Sequence, residues 1–213
     1  MISTSRFAEA LSSQAGSALE NRSLVQGIHN VVVPTIGMIV PNWLLVVPRG
    51  HTLNFAQQTS AARLEAERII QDLSHEVAGS DLDTIVLEHG PAVVGSAVGC
   101  GVDHAHLHVL LLQRGFADVL WKRIEADLEA EPEVAPLNAL HRGVDANSAY
   151  YLAWRNGSRL LEQPVKAEVS QRFRKLVAQA AGVADQWDYR VHRFDDNVWQ
   201  TVAASQHRRV LAA

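Results

Sequence analysis

Between His104 and Val109 the chain alternates imidazole and apolar side chains without a break, within the run Asp103-His104-Ala105-His106-Leu107-His108-Val109-Leu110. A two-residue period belongs to a β-strand, where successive side chains point to opposite faces. Read as a strand over His104 to Leu112, the segment turns His104, His106 and His108 to one face, about 6.6 Å apart. Ala105, Leu107 and Val109 occupy the other face, which needs a helix or core to cover it. The histidine face is not a packing solution, because each buried ring nitrogen requires a partner. The plain alternative is a polar surface strand.

The flanking sequence supplies the rest of a sheet and its cover. His29 to Pro34 and Trp43 to Pro48 are Val- and Leu-rich strand candidates separated by a turn region around Gly37. Ser5 to Leu19 carries a weak helical pattern. Thr59 to Val77 is a clearer helix, with Ser60 as its cap and Ala61, Leu64, Ala66, Ile69, Ile70 and Leu73 as its apolar stripe. Asp83 to Glu88 reads as a strand, Gly90 to Gly101 as a glycine-bearing loop, and Phe116 to Leu128 as a helix ended by Glu131-Pro132. Ala149 to Trp154, the turn Asn156-Gly157 and Arg159 to Gln163 form a hairpin signal. Helices over Glu168 to Ala181 and Asp196 to Ala204 close the chain. These short, scattered runs predict class α+β, an antiparallel sheet of about five strands with packed helices and a helical C-terminal extension. Residues 1–140 form the expected catalytic domain, and residues 141–213 add a hairpin and helices packed on that same domain.

Composition narrows the function classes. Apolar residues make up 47% and charged residues 20% of the 213, which excludes wholesale disorder. A net charge of -4 and the lack of a basic stripe argue against binding a nucleic acid polymer. The basic cluster His207-Arg208-Arg209 reads as the cationic end of a helix. The single Cys100 rules out an internal disulfide framework and suits a reducing cytoplasm. The N-terminus lacks the apolar core of a signal peptide. Pro34, Gly37, Pro41 and Asn42 break the apolar stretch from Val31 to Pro48, so no membrane span is expected.

Imidazole is a competent nucleophile near neutral pH, and its attack on phosphorus makes a reactive phosphoramidate. The attacking nitrogen must carry a lone pair, so the other nitrogen must donate a hydrogen bond that fixes the tautomer. Neighbouring imidazoles can hold phosphate oxygens or protonate a leaving group.

The pattern histidine, apolar, histidine, apolar, histidine, apolar, apolar in His104 to Leu110 resembles the signature of the histidine triad (HIT) family of nucleotide hydrolases and transferases. Leu44-Leu45-Val46-Val47-Pro48-Arg49-Gly50-His51 is similar to the strand that precedes it in that family. Glu88-His89-Gly90, Gly99 and Gly101 fall where the family has its phosphate-side loop. Together these cover about half the chain, from near Asn30 to near Leu112, while Ser170 to Arg174 and Gln186 to Arg190 look more loosely like the tails of longer bacterial members. The resemblance implies a HIT-like fold in which His106 is the nucleophile forming a nucleotidyl-histidine intermediate. By the same token His108 contacts the phosphate, His104 orients the site, and backbone amides near Gly99 and Gly101 cradle phosphate oxygens. A histidine as third member is similar to the hydrolase branches, whereas transferase branches carry glutamine there. The implied substrate is a small nucleotide with a phosphoanhydride or phosphoramidate bond, and a homodimer is implied as well. The nucleophile needs no metal, and Mg²⁺ enters only as companion of a polyphosphate substrate.

The sequence also departs from the pattern. Trp43 stands where several members place a second histidine near the leaving group, which leaves the general acid unassigned. Thr35 and Glu88 stand where ribose- and phosphate-side polar groups are usual. His51 reads as fixing a strand end, and Cys100 as a small loop residue rather than a reactive thiol. Three alternatives stay open: a nucleotidyltransferase or phosphorylase of the same family, a metal-dependent hydrolase using the histidine cluster, and a nucleotide-binding protein without catalysis. For the metal reading, Asp103 alternates to the face opposite the three rings, so further ligands would have to come from elsewhere.

Overall fold

In the computed structural model, which describes residues 7–12, 18–76, 81–157 and 159–211 (side chains through 205), the Val- and Leu-rich runs around Gly37 pair as the expected hairpin. In chain order the elements are α1 (Ala8–Leu11), β1 (Val25–Gln26), β2 (Asn30–Pro34), β3 (Trp43–Pro48) and α2 (Ser60–Glu76). They continue with β4 (Leu82–Gly90), β5 (Leu107–Gln113), α3 (Arg114–Leu128) and β6 (Glu133–Val134). The last are β7 (Tyr150–Arg155), β8 (Arg159–Pro164), α4 (Arg172–Ala180) and α5 (Asp195–Leu211). Every strand pairing is antiparallel, giving the α+β architecture expected.

Among the described residues the sheet has eight strands in the order β1-β2-β3-β5-β4-β7-β8-β6, not about five. The expected hairpin β7–β8 joins the same sheet by pairing with β4, from Ile85 opposite Arg155 to Gly90 opposite Tyr150, and the short strands β1 and β6, absent from the sequence pattern, extend it at either end. The sheet is therefore continuous across residue 140. Its outermost strands, β1 and β6, are two residues each, so neither offers a long unpaired edge.

The two faces are covered differently. Leu107 on β5 shares a small cavity with Ala66 and Ile70 of α2, and Leu44 of β3 shares another with Leu73 of α2 and Thr201 of α5. This is the apolar face that the alternation calls for. The cap of α2 is Thr59, whose hydroxyl accepts from the Ala62 amide (3.2 Å), rather than Ser60. On the other face, Phe7 and Ala10 beside α1 close a cluster with Val31, Val33, Leu45 and Val47. Further along it, α4 brings Phe173 onto His89 and Tyr151.

Several elements differ in extent from their sequence patterns. Of the weak helix over Ser5 to Leu19, only Ala8–Leu11 is α-helical among the described residues, and Leu19 opens a 3-10 turn; positions 5–6 and 13–17 lie outside them. The fourth helix begins at Arg172 rather than Glu168, because Gln171 takes a left-handed backbone conformation (φ 56°) that helical hydrogen bonding cannot propagate through. The side chains of His207, Arg208 and Arg209 lie outside the described set.

Candidate active site

The strand that carries the histidines starts at Leu107, so His104 and His106 precede it and only His108 lies within the ladder. The reason is Pro48. As the last residue of β3 it has no N–H for a ladder bond, and its carbonyl receives the His104 ring instead (Nε2–O 2.8 Å). The Ala105 amide turns to the Thr52 carbonyl (2.8 Å). The rings still gather on one side of the sheet. His106 and His108 lie 4.9 Å apart between centroids, and Phe7 packs 5.6 Å from both His104 and His106.

The hydrogen bonds assign the tautomers, since a backbone carbonyl only accepts and an indole N–H only donates. His104 donates from Nε2 to Pro48. His106 donates from Nδ1 to the His104 carbonyl (2.9 Å), which puts the ring's lone pair on Nε2. His108 accepts at Nδ1 from the Trp43 indole (3.0 Å), which puts its proton on Nε2. The three tip nitrogens are therefore unlike. One is tied to backbone, one carries a lone pair and one carries a proton. Burial pushes the His104 pKa below its ordinary value, an effect reinforced by neighbouring His51 and opposed by the Pro48 carbonyl.

A fourth histidine belongs to the cluster, one that sequence reasoning named only as part of Glu88-His89-Gly90, without a role. His89 of β4 sits edge-on to His108 (5.8 Å) and packs on Phe173 (4.7 Å) and Tyr151 (5.8 Å). Its Nε2 accepts from the Phe173 amide (3.3 Å), and its buried Nδ1 has no hydrogen-bond partner among the described residues. Burial, joined by the charges of His106, Arg172 and Arg174, lowers its pKa to about 3, so it is neutral near pH 7. Leu87 pairs with His108, so period two along β4 brings His89 to the same face, a register that the sequence by itself does not carry.

The same counting turns Glu88 away. Its carboxylate lies on the opposite face, bonded to His141 Nε2 (2.6 Å) and the Phe55 amide (2.7 Å), so its placement on the phosphate side is corrected. A cavity of about 300 Å³ lined by Tyr150 and Glu162 lies on that opposite face too and contains no member of the triad. Thr35 is buried at the end of β2, where its amide bonds the Trp43 carbonyl (3.1 Å). His51 lies edge-on to His104 at 5.1 Å, and Asp103 closes the glycine loop by accepting from the Gly95 amide (2.8 Å).

Gly99 and Gly101 stand in tight turns within that loop. The Cys100 amide bonds Ala97 and the Val102 amide bonds Gly99. Gly101 takes φ +75°, and a Cβ there would stand 3.9 Å from the Arg190 guanidinium, a contact between loop and C-terminal segment. Burial raises the Cys100 thiol pKa, and its sulfur accepts from the Gln171 amide (3.1 Å). Among the described residues no three His, Cys, Asp or Glu side chains are arranged to hold one metal ion, and no helix is long and apolar enough to cross a membrane.

No protein-family model matches the chain, and no curated protein matches it in sequence. Among solved structures, it is similar to a Hit-like protein involved in cell-cycle regulation from Bartonella henselae, crystallised with an unknown ligand. The two share 16% identity over 52% of this chain and 80% of that one, with a TM-score of 0.41. At that level the likeness carries no argument about the site, which has to be judged on its own geometry.

Proposed function

We propose that the chain is a nucleotide hydrolase in which His106 attacks the α-phosphorus of a phosphoanhydride or phosphoramidate. The observation that carries this reading is the hydrogen bond from His106 Nδ1 to the His104 carbonyl, which leaves Nε2 as the nucleophilic nitrogen of the triad. As the Nε2–P bond forms and the bond to the leaving group breaks, positive charge develops on the ring. The carbonyl accepting from Nδ1 offsets it. The His108 Nε2–H is suited to a non-bridging phosphate oxygen. Water then attacks phosphorus, the Nε2–P bond breaks, and nucleoside monophosphate leaves.

Several finer statements belong to the same proposal. They are a small nucleotide as ligand, hydrolysis rather than transfer to another acceptor, and Mg²⁺ only as companion of a polyphosphate. Phosphate contacts from the amides near Gly99 and Gly101 belong to it as well, as does a cytoplasmic location. A homodimer also belongs to the proposal.

Incubation with adenosine phosphoramidate or a dinucleoside polyphosphate tests the reading. AMP is expected from the wild type and not from His106→Ala, with an adenylyl group trapped on His106 after acid-free quenching. Equal AMP release by both proteins would overturn it.

A further inference from the structure

We propose that Trp43 and Arg174 are positioning residues that hold His108 as an Nε2–H donor, joining the C-terminal segment to the chemistry of the triad. The inference rests on the hydrolase reading for its kinetic consequence and on geometry alone for its structural one. The β3–β5 register sets Trp43 opposite Leu110 and Leu45 opposite His108. Trp43 and His108 are thus diagonal neighbours on one face, within reach for an aromatic side chain. The indole is fully buried, and its N–H is 3.0 Å from His108 Nδ1.

Arg174 covers the indole from α4. Its guanidinium lies 5.0 Å from the Trp43 ring centroid and 5.6 Å from that of Tyr189. The fork is held by the carbonyls of Ile36 (3.2 Å), Gly37 and Trp187 (3.0 Å), and the residue is 5% exposed. One side chain therefore clamps the β2–β3 turn, the indole and the segment Trp187–Tyr189 together. A cation over an indole face is attracted to the ring and draws density from it, which strengthens the N–H as a donor. The seat is specific. Gly37 adopts φ +59°, and a Cβ there would stand 2.6 Å from the Tyr189 Cβ.

Without the indole N–H, His108 loses the donor that favours a lone pair on Nδ1 and hence the proton on Nε2. The neutral ring then populates both tautomers, and only the Nε2–H form can donate to a phosphate oxygen from its tip.

The test combines nitrogen-15 NMR of histidine-labelled full-length protein with kinetics on adenosine phosphoramidate. Wild-type His108 is expected as the single Nε2–H tautomer. Trp43→Phe is expected to show mixed tautomers and to lower kcat about tenfold with KM unchanged. Arg174→Met is expected to lower kcat about threefold, again at constant KM. A wild-type His108 protonated on Nδ1 would overturn the proposal, and this holds even where Trp43→Phe fails to fold. A folded Trp43→Phe with unchanged tautomer and kcat, or Arg174→Met with wild-type kcat, would overturn it too. If the wild type releases no AMP while Trp43→Phe still shifts the tautomer, the hydrolase reading fails and the positioning stands.

Discussion

His89 makes the stability of this protein depend on mildly acidic pH. The ring is buried among Phe173, Tyr151 and His108, and its folded pKa is about 3 against an ordinary 6.5. Between those values the unfolded chain binds a proton that the native ring refuses, so acid favours unfolding. The contribution is fully present above about pH 6.5 and is lost as pH falls toward about 3. At pH 5 the medium is about one and a half units into that window, worth about 2 kcal/mol. His89→Gln stays neutral at every pH and keeps an acceptor near the Phe173 amide. At pH 7 it is expected to cost about 1 kcal/mol through lost ring contacts. Urea unfolding of both proteins at pH 7 and pH 5 measures the difference. The variant is expected to lose about 2 kcal/mol less than the wild type between the two pH values. Equal losses would show that the native ring accepts a proton at pH 5, and the argument from burial would be refuted.

Two further perturbations probe the scaffold. Glu88→Ala removes the partner of both His141 Nε2 and the Phe55 amide in a pair whose side chains are 1% and 4% exposed. It is expected to cost about 3 kcal/mol in urea unfolding. Because Glu88 faces away from the imidazoles of His104, His106 and His108, KM should not change; a raised KM at unchanged stability would place it in the site after all. Gly37→Ala forces a side chain into φ +59° against Tyr189 and is expected to cost about 2 kcal/mol by thermal melting. A melt unaltered from wild type would show that the C-terminal segment does not bear on the β2–β3 turn.

Much of the scaffold is local and was therefore readable from the chain. The strand Trp43–Pro48 appears with the bounds its composition predicts, and α2 and α3 begin and end within two residues of their patterns. Hydrophobic period and breakers act over a few residues, so they leave a direct trace in the order of side chains. The same alternation placed Leu107 and Val109 in the core and gathered the imidazoles on the other side. It overran at the start of β5. The stop there is set by Pro48 on a different strand, 56 residues away from the ring it receives.

What the sequence determined by itself was which side chains share a face, imidazoles on one side and Ala105, Leu107 and Val109 on the other, because strict alternation admits few other backbones. Only the tertiary structure decided what each ring is able to do. The partners that choose the tautomers of His104 and His108 come from β3, and the cation behind Trp43 comes from α4. The hairpin that widens the sheet is likewise a pairing between distant segments. Register and diagonal contact are properties of two strands at once, and no periodicity within either one specifies them.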